Sequence, residues 1–285
     1  MSLIDTSTEI LKILEKQRKK LKLTFEESTH TYTMLNEKKE LRSDYPSVSK
    51  VIKYFYEEFD SEGISYRKAQ GDLEKQKQLL AEWKGASDYA TNMGSRAHYI
   101  LEKKSIELFK LNKEVRKPIY ECDESQMIKS NSMIAAGLNY LSLMQQRGAH
   151  LLDTETVLGD IELGYTGQPD KIWLLNNKDT SEIGFFITDW KTNQPKNFEV
   201  NNFTKKMYSP FDDIDDTALG HYYLQLPLYA KLFKRMLKGS KYENINFLGA
   251  IIVLLKDDSS YEEYRVPKKV INTIMNMNVK EYFKI

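Results

Sequence analysis

The chain predicts an α/β fold in which a central mixed sheet is flanked by helices, with a helical extension at its N-terminal end. Three observations carry that expectation. Apolar runs of strand length cluster between residues 151 and 191, a further run INFLGAIIVLL follows a helical segment, and helical periodicity dominates elsewhere. The order is helices, three strands, helix, strand, helix.

Each element has its own signal. Residues 5 to 20 form an amphipathic helix with Ile10, Leu11, Ile13 and Leu14 as its stripe. LTFEESTHTYTMLNEKKELRS alternates around Asn36-Glu37 as a hairpin does, and Pro46 with a capping Ser47 introduces VSKVIKYFYEEF as a helix. From about Ile64 to Phe109 the pattern is helical, with breaks expected at Gly85 and Gly94. Residues 110 to 131 are charged and contain Pro118, which reads as a loop before a helix at 132 to 147. Strands are expected at 151 to 159, 164 to 175 and 183 to 191, the last two joined by the turn NNKDTSE. TALGHYYLQLPLYAKLFKRML is a helix that Pro227 either kinks or opens, and a last helix is expected at 268 to 283. One domain is expected over 1 to 285, with 1 to 90 as a hairpin and helical part and 91 to 285 as the core.

Composition limits the chemistry. An apolar share of 41%, with 18 Tyr and 12 Phe, fits a folded protein, while no apolar stretch is long enough to span a membrane. The single Cys122 excludes an internal disulfide framework, a cysteine-rich zinc site and a four-cysteine iron-sulfur cluster, so a metal must use oxygen or imidazole. The first residues, MSLIDTSTEILKILEKQRKK, hold no apolar signal core, and the expected location is cytoplasmic. Lys+Arg 42 against Asp+Glu 41 does not announce a nucleic-acid binder. Short basic clusters such as Arg18-Lys19-Lys20 and Lys205-Lys206 read as solvated surface or as local phosphate contacts.

Asp170 ends the string Gly167-Gln168-Pro169-Asp170, and nineteen residues later Phe185-Phe186-Ile187 leads into Asp189-Trp190-Lys191. Alternation along a strand puts Asp189 and Lys191 on one face and Trp190 on the other. Two carboxylates and an ammonium at neighbouring strand ends are costly unless a dehydrated cation compensates the acids. Mg²⁺- or Mn²⁺-dependent phosphodiester cleavage uses such a set, with a lysine orienting the attacking water. Each residue also has a structural reading: an Asx turn for Asp170, a surface ion pair for Lys191, a satisfied helix histidine for His98, solvated acids for Glu102 and Glu155. Gln225 and Tyr229 share a helix face with Tyr222, which also fits a packing stripe. His221 suits a phosphate contact or a cap, His30 and Tyr32 suit base stacking or cross-strand packing, and Trp83 and Trp190 are expected in the core.

Pro169-Asp170 and Asp189-Trp190-Lys191, with Gly94-Ser95-Arg96-Ala97-His98, Leu101-Glu102 and Gln225-Leu226-Pro227-Leu228-Tyr229, resemble the motifs of the PD-(D/E)xK nuclease superfamily in its RecB-type exonuclease branch. With Pro46-Ser47-Val48-Ser49 upstream, the arrangement is similar to that of mitochondrial genome-maintenance exonucleases and related phage exonucleases over about residues 22 to 255. The resemblance implies a restriction-endonuclease-like core and a DNA exonuclease of recombination or repair acting on single strands or free ends. It implies Mg²⁺ or Mn²⁺ held by His98, Asp170, Asp189 and the Trp190 carbonyl, with Lys191 positioning water and Gln225 near the site, supported by Tyr229. Glu102 is expected to orient His98, and Glu155 to be a further acid. The helices before Gly94 and the 197 to 218 connector would wall a strand channel. The rivals are a non-catalytic DNA-binding protein of the same fold, and an endonuclease or RNase using the same site.

Overall fold

A computed structural model describes residues 2–115, 118, 120–176, 182–201 and 203–283. Helix α1 (Leu3–Leu21) opens on a Ser2/Asp5 capping box, and Arg18, Lys19 and Lys20 sit in its last turn, where the helix dipole favours cations. Its stripe buries Ile10 and Leu14 in the main core, so the extension is packed against the rest of the chain. Strands β1 (Thr24–Glu26), β2 (Thr31–Leu35) and β3 (Leu41–Arg42) form a small antiparallel sheet. Its second turn is tied where the Asn36 side chain accepts from the Glu40 amide at 2.9 Å. Ser47 caps α2 (Val48–Val51) as expected, but after one turn the helix tightens into a 3₁₀ turn at Ile52–Phe55.

The helical stretch breaks elsewhere than expected. Helix α3 (Ser61–Lys68) ends at Gln70 and Gly71, both at positive φ, and α4 then runs unbroken from Leu73 to Phe109 through Gly85 and Gly94. A helical glycine costs about 1 kcal/mol, which a capped helix of this length absorbs. Helix α5 (Glu124–Gln146) starts eight residues before the expected 132, because Asp123 and Gln126 form a capping box.

Five strands make the central sheet in the order β10-β9-β8-β7-β4, antiparallel except for the parallel pair β8 and β9. They are β4 (His150–Thr154), β7 (Lys171–Asn176), β8 (Ile183–Lys191), β9 (Asn246–Leu255) and β10 (Tyr261–Arg265). Two expected strands are split. Glu155 at φ 45° ends β4 before β5 (Leu158–Asp160), and Pro169 separates β6 (Tyr165–Gly167) from β7, leaving β5 and β6 as a separate hairpin. β10 is additional to the expected strands: its polar sequence YEEYR suits a half-exposed edge strand rather than an apolar run. Of the NNKDTSE turn, residues 177 to 181 lie outside the described residues.

Alternation sorts the side chains into two cores. Ile172, Leu174, Phe185, Ile187, Ile252 and Leu254 face α1 and α6 (Ala218–Met236), while Trp173, Phe186, Trp190, Val253 and Leu255 face α4 and α5. Full burial of each such side chain contributes about 1.5–3 kcal/mol, so a register slip would be prohibitive. Pro227 lies buried inside a continuous α6, the crossover joining the parallel strands β8 and β9. Helix α7 (Lys268–Asn276) stops short of the expected 283, with a 3₁₀ turn at Val279–Tyr282. Trp190 is in the core, whereas Trp83 is half-exposed on α4 beside Phe59, which is 70% exposed, and under the Lys68 ammonium. Among the described residues, no helix is long and apolar enough to cross a membrane.

Candidate metal centre

Four elements converge at one end of the sheet. Asp170 stands just before β7, Glu155 just after β4, Asp189 and Lys191 at the end of β8, and His98 on α4. The Glu155 amide donates to the Asp170 carbonyl at 3.1 Å, which continues the β4–β7 ladder by one step and brings both carboxyls together. Gly94 lets α4 approach β8, since a Cβ there would stand 2.8 Å from Thr192 Oγ1. One turn later His98 Nδ1 reaches 3.5 Å from Asp170 Oδ2.

Ligand atoms of His98, Glu155 and Asp170 all lie within 4.8 Å of one another, so this trio can hold a metal ion. Asp170 Oδ2 also accepts from the Trp190 amide at 2.7 Å, and His98 bonds to the Trp190 backbone. Trp190 therefore holds the site from its main chain while its ring is buried on the other face. Asp189 lies outside the trio, its carboxylate paired with the Lys191 ammonium. That ammonium also sits 4.3 Å from the centre of the Tyr222 ring. Gln225 donates to the Tyr229 hydroxyl at 2.8 Å, and both line the cavity of about 230 Å³ that holds Asp170, Asp189 and Lys191. Gly167 is required here, because a Cβ would come within 2.6 Å of the Tyr229 ring.

Glu102 takes a different place from the expected one. Its carboxylate accepts from Thr154 Oγ1 at 3.2 Å, and the contacts that orient His98 are with Asp170 and Trp190. His221 pairs with Asp216 at 2.7 Å and stacks on Tyr56, a structural role. His30 and Tyr32 pack around Phe25 and line the same cavity as Asp189. Two further residues carry no signal in the sequence. Lys171 is 2% exposed, its ammonium 4.6 Å from the Trp190 ring centre and within the field of Asp170, Glu155, Glu102 and Asp189. Lys113 bonds Asp153 Oδ1 at 3.2 Å and the carbonyls of Thr154 and Glu155, clamping the positive-φ turn that aims Glu155.

Electrostatics follow from burial. Desolvation, reinforced by Asp170 and Glu102, pushes Glu155 well above the ordinary carboxyl range. Desolvation also raises Asp170 against the pull of Lys191 and Lys171, and its carboxylate is hydrogen-bonded by Glu155. Burial raises Asp189 and Glu102 too. His98 is lowered to about 4 by desolvation and then by Lys191, so its ring is neutral and can ligate. Burial works against the Lys191 ammonium, but Asp189 carries it above its ordinary value.

The residues fit a divalent cation. The carboxylates of Glu155 and Asp170 and the neutral ring of His98 converge within 4.8 Å, a hard oxygen and imidazole donor set that suits one divalent ion. Gln168 Oε1 is a buried acceptor without a partner among the described residues, in the wall of both cavities beside the trio. A scan against protein-family models finds no match for the chain, and a search of curated proteins finds none either.

Proposed function

We propose that the chain is a Mg²⁺- or Mn²⁺-dependent deoxyribonuclease that hydrolyses phosphodiester bonds from DNA ends. The observation that carries this reading is the Asp189–Lys191 pair set beside the His98, Glu155 and Asp170 trio, around cavities that share Glu155 and Gln168. A divalent cation held by the trio supplies Lewis acidity to the phosphate and acidifies water. His98 offers a neutral nitrogen because burial keeps it unprotonated. Glu155 and Asp170 offer oxygens that no protein cation fully compensates.

Lys191 supplies the fixed positive charge. Anchored by Asp189 and the face of Tyr222, its ammonium is positioned to orient a water and to stabilise charge developing on the phosphoryl oxygens. Gln225, held by Tyr229, presents an amide to the same cavity for a phosphate oxygen or an ordered water. Preference for ends rests on the order of the motifs, which resembles the exonuclease branch.

The test is a product time course on end-labelled single- and double-stranded DNA, run with Mg²⁺, with Mn²⁺ and with chelator. Mononucleotide or short products released from ends are expected, lost with chelator and in Asp189→Ala and Lys191→Ala. Full activity in both variants would remove the assigned centre. Rapid cutting of covalently closed single-stranded circles would replace the exonuclease by an endonuclease.

A further inference from the structure

Three cavities meet at Glu155. Two flank the metal centre, and the third, of about 710 Å³, leads away from it between α1 and the end of the edge strand β4. Phe25 stands in the wall of both this groove and the cavity of Asp170 and Lys191, with His30 and Tyr32 packed on it at ring distances of 5.1 and 4.5 Å. An aromatic surface therefore continues from the candidate centre into the groove.

The far wall is cationic. Lys12 and Arg18 face the groove from α1, six residues apart and so about 9 Å along the helix axis. Of the acids that line the groove, Glu15 pairs with Lys19 at 2.5 Å and Asp153 with Lys113 at 3.2 Å, while Glu155 stands at the end shared with the candidate centre. Among the described residues, neither Lys12 nor Arg18 has an ion-pair partner, although the Arg18 charge acts on Glu15 at longer range. Two cations without a direct ion pair, beside an aromatic surface that leads to the candidate centre, match a phosphodiester chain with exposed bases.

We propose that this groove holds the single-stranded DNA segment next to the scissile bond, its bases against Phe25 and His30 and its phosphates against Lys12 and Arg18. The assignment rests on the nuclease reading. It adds a strand path past Glu155 along α1, outside the motifs that suggested the chemistry.

Binding of a fluorescein-labelled 20-nucleotide oligothymidylate, measured by anisotropy with Mn²⁺ in a Lys191→Ala background, tests it. Adding Lys12→Gln and Arg18→Gln should weaken binding about tenfold, and the log–log dependence of affinity on salt should become shallower by about 1.4, at roughly 0.7 per phosphate contact on a single strand. Mn²⁺ affinity should stay that of the parent. Lys12→Gln alone, at an exposed helix position, should give about half that change in slope, which keeps the test sound if the double variant folds poorly. Unchanged affinity and slope against a parent that binds DNA would overturn the groove and leave the nuclease reading standing. A parent that binds no DNA would overturn both.

Discussion

Replacing Glu155 by glutamine separates the charge of the centre from its shape. In the metal-free protein, the Glu155 and Asp170 side chains are hydrogen-bonded and both are raised by burial, so the pair retains a proton above the ordinary carboxyl range. A cation that takes both oxygens must displace that proton. His98, at about 4, is already neutral at pH 5 to 6 and releases none. Metal affinity of the parent should therefore rise tenfold, about 1.4 kcal/mol, for each pH unit that this proton contributes. The amide introduced by Glu155→Gln would keep a hydrogen-bond donor to Asp170 with nothing to release, so the plot of log affinity against pH should lose one unit of slope. Affinity itself should fall by at least about 100-fold, the upper end of the loss when a ligand's supporting partner is removed. Calorimetric titration with Mn²⁺ between pH 5 and 6, in buffers of different ionisation enthalpy, reads both the affinity and the protons released. Equal slopes for parent and variant would refute the shared proton and with it Glu155 as a ligand.

Lys113→Met should lower Mn²⁺ affinity about 10–100-fold through a loosened Glu155 turn, with partial rescue by Lys113→Arg, as calorimetry will show. His98 is held below its ordinary value of 6.5, so the metal-free protein should lose stability as pH falls from 6.5 towards 4. The 2.5 units convert to at most about 3 kcal/mol, reduced because 29% of the side-chain surface stays open to the cavity. Urea denaturation of the parent and of His98→Gln checks it, since the variant should lack that component of the slope. Gly137→Ala places a Cβ 2.5 Å from Leu101 Cδ1 and should destabilise by about 1–3 kcal/mol, while adding Leu101→Ala should leave the pair of changes non-additive in thermal melts.

The chemistry-bearing residues were more legible than the boundaries around them. Asp170, Asp189, Lys191, His98, Gln225 and Tyr229 do gather at one end of the sheet, because strand alternation and helix spacing fix which side chains can share a face. Glu155 reads ambiguously because its aim depends on a positive-φ turn clamped by Lys113, 42 residues away in the chain. Lys171 reads as the first residue of an apolar strand, and only the convergence of acids from three other elements gives its charge a use. Glycine propensity suggests breaks in α4 that the capped helix runs through, whereas the real break at Gln70 and Gly71 lies in a polar stretch without a periodic signal. Strand ends at Glu155 and Pro169 are hidden because the apolar pattern continues across both interruptions.

Helix α4 is one continuous helix of about 56 Å, with His98 on its packed half and Trp83 about 22 Å away on the exposed half. The outer half and the ring of His98 are carried by the same uninterrupted backbone. Residues about 22 Å apart on its surface thus belong to a single element. At Gly94 that element comes so close to Thr192 that there is no room for a side chain.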